Sequence, residues 1–175
     1  MKSTGNARKT GRHEETIKAT MENLFPLACP VAEYKWIDGW DFEMVYSECG
    51  AMEKHCIFRE RLTGAFLFAD PDLETTWAVC DNDRDARWLR AVLLLGDRAA
   101  GMFEVNGQEQ DKGSTKVTWN YTITGLNDDA NEALAALEPG KIDAMLGFLG
   151  KSLKHYSETG EKLPAKDALE QAQAS

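Results

Sequence analysis

No stretch of this sequence approaches the roughly eighteen consecutive apolar residues that a membrane-spanning helix needs. The longest apolar run, Ala91-Val92-Leu93-Leu94-Leu95, ends at Gly96-Asp97, so no membrane span is expected and the chain reads as soluble. Cysteine is sparse and scattered: Cys29, Cys49, Cys56 and Cys80 form no Cys-x-x-Cys pair and no zinc-finger spacing. The basic start has no apolar core of a secretion signal, so free thiols and a cytoplasmic location are expected. His55-Cys56 is the one local His/Cys pair, and neighbours in a strand point to opposite faces, so no metal site is expected. Phosphate loops, Gly-x-Gly-x-x-Gly, Gly-x-Ser-x-Gly and His-Glu-x-x-His are all missing, which leaves no cofactor to predict. Positive charge is short as well: 20 Lys and Arg face 29 Asp and Glu, for a net −9. An acidic surface opposes phosphate backbones, so nucleic acid is not an expected partner.

The charge is unevenly placed. Lys2, Arg8, Lys9 and Arg12 lie in the first twelve residues with no acid among them, leaving 16 basic against 29 acidic groups, a net −13, for the rest. Residues 1–13 read as a disordered basic terminus, 14–160 as a single domain, and the Ala- and Gln-rich stretch 161–175 as a tail, disordered or loosely docked. A chain of 175 residues can bury about 70% of its unfolded surface and so form a core without disulfides.

Glu14 to Met21 alternates and is rich in Thr and Ile, as a first strand would be. Pro26 and Pro30 break the next segment, Asn23 to Tyr34, into one or two brief helices. Trp36-Ile37-Asp38-Gly39-Trp40 follows as an aromatic loop. Six short alternating runs separated by Gly, Asp and Asn then indicate an antiparallel meander: Phe42 to Ser47, His55 to Arg61, Thr75 to Cys80, Arg87 to Leu95, Gly101 to Val105, and Thr115 to Thr124. The last has Val117, Trp119, Tyr121 and Ile123 on one face and Lys116, Thr118, Asn120 and Thr122 on the other. Beyond Gly125 the period becomes helical, with Asn127 or Asp128 as a cap and Pro139-Gly140 as a break. A longer helix, about Lys141 to Ser157, carries the stripe Ile142, Met145, Leu146, Leu149, Leu153 and Tyr156. That stripe needs an apolar partner, and the concave face of a twisted meander is the one large enough. The fold class is α+β: a seven-stranded antiparallel sheet wrapped around a long C-terminal helix, with two short helices after the first strand.

The element order, together with Cys29-Pro30-Val31, the Glu33 to Trp40 stretch, Val45-Tyr46-Ser47-Glu48, Thr75-Thr76-Trp77-Ala78-Val79, Val117 to Thr122 and His155-Tyr156, resembles bacterial members of the SRPBCC superfamily. That superfamily includes START-related, pollen-allergen-like and polyketide cyclase-like proteins. The resemblance spans roughly Thr16 to Thr159. It implies a helix-grip fold with a cavity between the long helix and the sheet. It implies no single activity, because the superfamily holds carriers, cyclases, dehydratases and other functions.

Alternation places Phe42, Met44 and Tyr46 on one face, Trp77 and Val79 on another, and Trp119 and Tyr121 on a third. If all three faces line the concavity, they surround Met145, Leu149 and Leu153, either as plain core or as the wall of an aromatic-lined cavity. Arg59 and Arg90 are the candidate cationic handles for a ligand carboxylate. His155, about 100° from the core stripe, fits a helix C-terminal position better than a catalytic one. Three functions compete: binding of a small apolar or aromatic molecule, a cyclase- or dehydratase-type enzyme, and a protein-interaction module that presents the Trp36–Trp40 loop. The sequence also leaves room for a homodimer.

Overall fold

The computed structural model describes residues 5–83, 85–111 and 113–173, with the side chain of Asp111 left undescribed. Seven strands form one antiparallel sheet: β1 (Arg8–Ile17), β2 (Phe42–Tyr46), β3 (Ile57–Glu60), β4 (Thr75–Asp83), β5 (Trp88–Leu95), β6 (Ala99–Asp111) and β7 (Ser114–Gly125). Their order across the sheet is β1-β7-β6-β5-β4-β3-β2, so the chain runs as a meander from β2 to β7 and the first strand closes on the last. Two short helices, α1 (Met21–Leu24) and α2 (Pro30–Glu33), with a 3-10 turn at Phe25–Ala28 between them, carry the chain from β1 across to β2. The remaining helices are α3 (Leu62–Phe68), α4 (Asp128–Ala136), α5 (Lys141–Thr159) and α6 (Ala165–Gln173). None of the helices is long and apolar enough to cross a membrane.

The seven strands, the two short helices and the long terminal helix are as expected. Strand β7 shows strict alternation, with Val117, Trp119, Tyr121 and Ile123 all buried. Asn127 caps α4, its side chain accepting the Ala130 N–H at 2.9 Å, and Gly160, at φ 78°, ends α5. Ile142, Met145, Leu146, Phe148 and Leu153 of α5 are buried, and the helix lies against β1 and β7.

Three boundaries differ from expectation. Strand β1 begins at Arg8, so residues 8–13, expected as part of the disordered start, are ordered strand, paired with β7 from Arg8↔Thr124 to Ile17↔Thr115. Its inward positions include Gly11, His13 and Glu15, so no apolar alternation marks it; the long edge of β7 recruits it through backbone hydrogen bonds. Helix α3 was not anticipated, since Gly64 weakens its helical signal; yet a Cβ at Gly64 would lie 2.3 Å from the Leu73 carbonyl oxygen, so this close approach needs glycine. The tail forms α6, packed on α5 with Leu163 and Ala168 buried.

Candidate ligand cavity

Six aromatic rings form a continuous chain over the inner face. Trp40 stacks on Phe42 at 6.2 Å between centroids, Phe42 meets Phe58 edge-on at 6.4 Å, and Phe58 stacks on Trp77 at 5.3 Å. Trp77 then meets Phe103 at 5.1 Å, and Phe103 meets Tyr121 at 6.4 Å, both edge to face. These rings come from separate strands because Phe58↔Trp77 and Phe103↔Tyr121 are directly opposed pairs in the sheet register. Ala91 lies between them, in register with Val79 on one side and Phe103 on the other. A methyl there leaves unfilled the space that a larger side chain would occupy.

The result is a cavity of about 60 Å3 between sheet and helix. Trp77, Val79, Ala91, Phe103 and Tyr121 form its floor, Met145, Phe148 and Leu149 of α5 one wall, and Leu62, Thr63 and Phe66 of α3 one end. Ala28, Pro30, Glu33, Ile37 and Trp40 form its roof. Since one water needs roughly 10–15 Å3 on this scale, the space suits a compact guest of about one ring. A second cavity of about 30 Å3 adjoins it, sharing Ala28, Glu33, Leu89, Phe103 and Leu149 and adding Trp36, Trp119, Leu153 and Arg87.

Of the residues expected to line the cavity, Trp77, Val79, Tyr121, Met145 and Leu149 border the larger space, and Trp119 and Leu153 border the smaller. Phe42 and Met44 pack against the core beside it. Tyr46 is a correction: it is half exposed, because a bulge between Met44 and Tyr46 sets it opposite Ile57 on the outer face. The cationic handles are corrected too. Arg59 alternates with the buried Phe58 and Glu60, so it faces outward and pairs with Glu74 at 3.2 Å; Arg90 faces outward and pairs with Asp81 at 2.5 Å.

The charged groups that do point inward are acids. Glu60 is 3% exposed; its Oε2 accepts the Thr63 N–H at 2.9 Å and its Oε1 accepts the Trp77 indole N–H at 3.0 Å. It sits behind the cavity wall, held by two residues that form that wall. Glu33, the last residue of α2, is half-buried as a whole, but its carboxyl end borders both cavities. Burial, and after it the Glu60 charge, push its pKa up to about 8. Tyr121 is fully buried, and its hydroxyl finds no hydrogen-bond partner among the described residues. Burial, with Glu60 second, drives its pKa far above that of an ordinary phenol. Alternation had placed Glu60 on the Phe58 face, so its position was readable in the sequence. No periodic signal marks Glu33, on a four-residue helix.

Gly101 makes room for Tyr121: a Cβ there would stand 2.6 Å from the hydroxyl and 2.8 Å from the ring. We expect Gly101→Ala to cost about 1–3 kcal/mol, as overpacking of a core does, measured from urea unfolding midpoints. An unchanged midpoint would contradict this packing.

The fold is the helix-grip fold, as the sequence resemblance implied. No protein-family model and no curated protein matches the chain. Solved structures do. A norcoclaurine synthase point mutant from Thalictrum flavum, in complex with a transition-state analogue, aligns with a TM-score of 0.64 at 12% identity, covering 90% of this chain and 99% of that one. The Zhui aromatase/cyclase from Streptomyces sp. R1128 aligns with a TM-score of 0.60 at 11% identity, over 89% of this chain and 99% of its own. An uncharacterised protein from Rhizobium leguminosarum covers 98% of both chains at 17% identity, with a TM-score of 0.54. At such identities the likeness concerns architecture, and function rests on the site itself.

Proposed function

We propose that the chain binds a small hydrophobic or aromatic molecule in the cavity between the sheet and α5. The observation that carries this reading is the enclosed, aromatic-walled space beneath α2 and α5, with an inward carboxyl and an unpartnered hydroxyl, where an ordinary core would be filled by side chains. The similar structures include an aromatase/cyclase and a synthase bound to a transition-state analogue, which supports a cavity put to use. Four free cysteines accord with a reducing compartment, the cytoplasm.

Fluorescence titration with acyl and polycyclic probes tests the reading. Saturable binding is expected for the native chain, and Ala91→Leu, which grows a side chain into the cavity, is expected to abolish it while keeping the circular dichroism spectrum. Absence of saturation in the native chain, or equal binding in the filled variant, would sink the proposal.

A cyclase- or dehydratase-type enzyme is the second reading. One observation favours it: Glu33 titrates near neutral pH beside the cavity, where a proton-transferring group would have to be. The interaction-module reading is corrected. Trp36 and Trp40 are 2% and 8% exposed, and their indole N–H groups donate to the carbonyls of Leu27 at 2.8 Å and Pro30 at 2.9 Å, so the loop has no free aromatic face to present.

A further inference from the structure

The polar groups around the larger cavity are unbalanced in sign. Glu33 borders it directly, the fully buried Tyr121 hydroxyl borders it without a partner, and the Glu60 carboxylate lies just behind Trp77 and Thr63. No Lys, Arg or His borders this cavity. The nearby cations are otherwise engaged. Arg87 borders the smaller space and pairs with Glu109 at 3.2 Å, while Lys141 rests its ammonium over the Phe66 ring at 4.6 Å. Both Glu33 and Tyr121 feel the negative charge of Glu60, so the interior potential is negative. An anionic guest would be repelled. A neutral apolar guest would leave the Tyr121 hydroxyl unsatisfied, and a buried unpartnered polar group costs about 1–3 kcal/mol. A guest with N–H donors and a positive charge answers all three groups. The stacked faces of Trp77 and Phe58 suit a ring at its other end and can also hold a cation by its attraction to the π-face.

Building on the binding reading above, we infer that the guest is a compact aromatic amine bound as its ammonium ion, with Glu33 as the direct ion-pair partner, the Tyr121 hydroxyl as an acceptor, and Glu60 as a fixed charge behind the wall. The empty site keeps a proton on Glu33 at neutral pH, because burial and Glu60 disfavour its anion. An entering ammonium reverses that preference. The Glu33 proton leaves to solvent and the carboxylate pairs with the guest, so each binding event releases up to one proton.

Isothermal titration calorimetry of the full chain at pH 7, in two buffers of different ionisation enthalpy, reads both parts. The probes are 2-phenylethylamine, 2-phenylethanol and phenylacetate, alike in shape and different in charge. The amine is expected to bind at least about tenfold more tightly than the alcohol, the margin of one charge-assisted hydrogen bond, with proton release, and phenylacetate is expected not to saturate. In Glu33→Gln the release should vanish and the amine should fall to the affinity of the alcohol, while unchanged alcohol binding shows that the variant is folded. The inference is overturned if the alcohol or phenylacetate binds as tightly as the amine, or if amine binding is indifferent to Glu33→Gln. If none of the three binds while the larger fluorescent probes do, the amine inference falls and the cavity-binding reading stands. If those probes also fail, both fall.

Discussion

Trp40→Ala should lower the unfolding free energy by about 3–5 kcal/mol, the usual cost of truncating a buried Trp, and should abolish binding in the cavity as well. The two effects have one cause. Trp40 is a roof residue, 8% exposed, tied by its indole N–H to the Pro30 carbonyl and stacked on Phe42. Removing it takes away an aromatic face, leaves a buried carbonyl without its donor, and opens the space where Pro30 and Glu33 hang over the sheet. For a chain of this size each kcal/mol moves the melting temperature by about 2–4 °C, so a fall near 10 °C is expected by differential scanning calorimetry. Trp40→Phe should recover most of the stability, because the ring and its stacking remain and only the hydrogen bond is lost. A loss under about 1 kcal/mol for the alanine variant, well below the core-truncation range, would mean that the roof is not packed as described.

The same segment shows what was legible in the sequence and what was not. Its prolines announced short broken helices, and its spacing of Trp36 and Trp40 announced an aromatic loop. Whether those rings face solvent or core depends on the Leu27 and Pro30 carbonyls folding back to meet them, which is a tertiary fact. Strand β7 was legible throughout because one face is apolar at every second residue. Strand β1 was not, because its inward side carries Gly11, His13 and Glu15 facing a neighbouring helix. The β2 bulge turned Tyr46 out, and a bulge leaves the residue types unchanged while shifting every later side chain to the other face. For the site, alternation supplied Trp77, Val79, Trp119 and Tyr121, and helical period supplied Met145, Leu149 and Leu153. The inward charge was sought among arginines, although alternation had set Glu60 beside Phe58. Glu33 rests on α2, too short for any period to declare a face.

Stability should peak near pH 5 and fall on both sides, with one buried acid responsible for each limb. Glu15 is 7% exposed between β1 and α5, where Lys154 reaches it at 2.8 Å, Lys151 at 2.9 Å and His13 at 3.5 Å. Burial alone would raise its pKa, but hydrogen bonds from His13, Lys154 and Lys151 outweigh burial and hold it at about 2. In the unfolded chain a Glu titrates near 4.5. The unfolded state therefore binds more protons between pH 2 and 4.5, so this contribution is present above the upper value and lost as pH falls. The shift corresponds to about 3 kcal/mol at most, reduced to about 2 because the lysines are partly solvated. Glu33 acts in the opposite sense. Its folded pKa, about 8, lies above its unfolded value of 4.5, so the native state binds more protons across that interval and stability declines as pH rises through it. Urea unfolding at intervals from pH 2.5 to 9 separates the two. Glu15→Gln should flatten the acid limb and leave the alkaline one, and Glu33→Gln should do the reverse, making that variant more stable than the native chain above pH 8. Independent limbs are required, since Glu15 sits beneath β1 and α5 whereas Glu33 sits in the cavity roof; a variant that flattens both would show that the two acids do not titrate as separate buried groups.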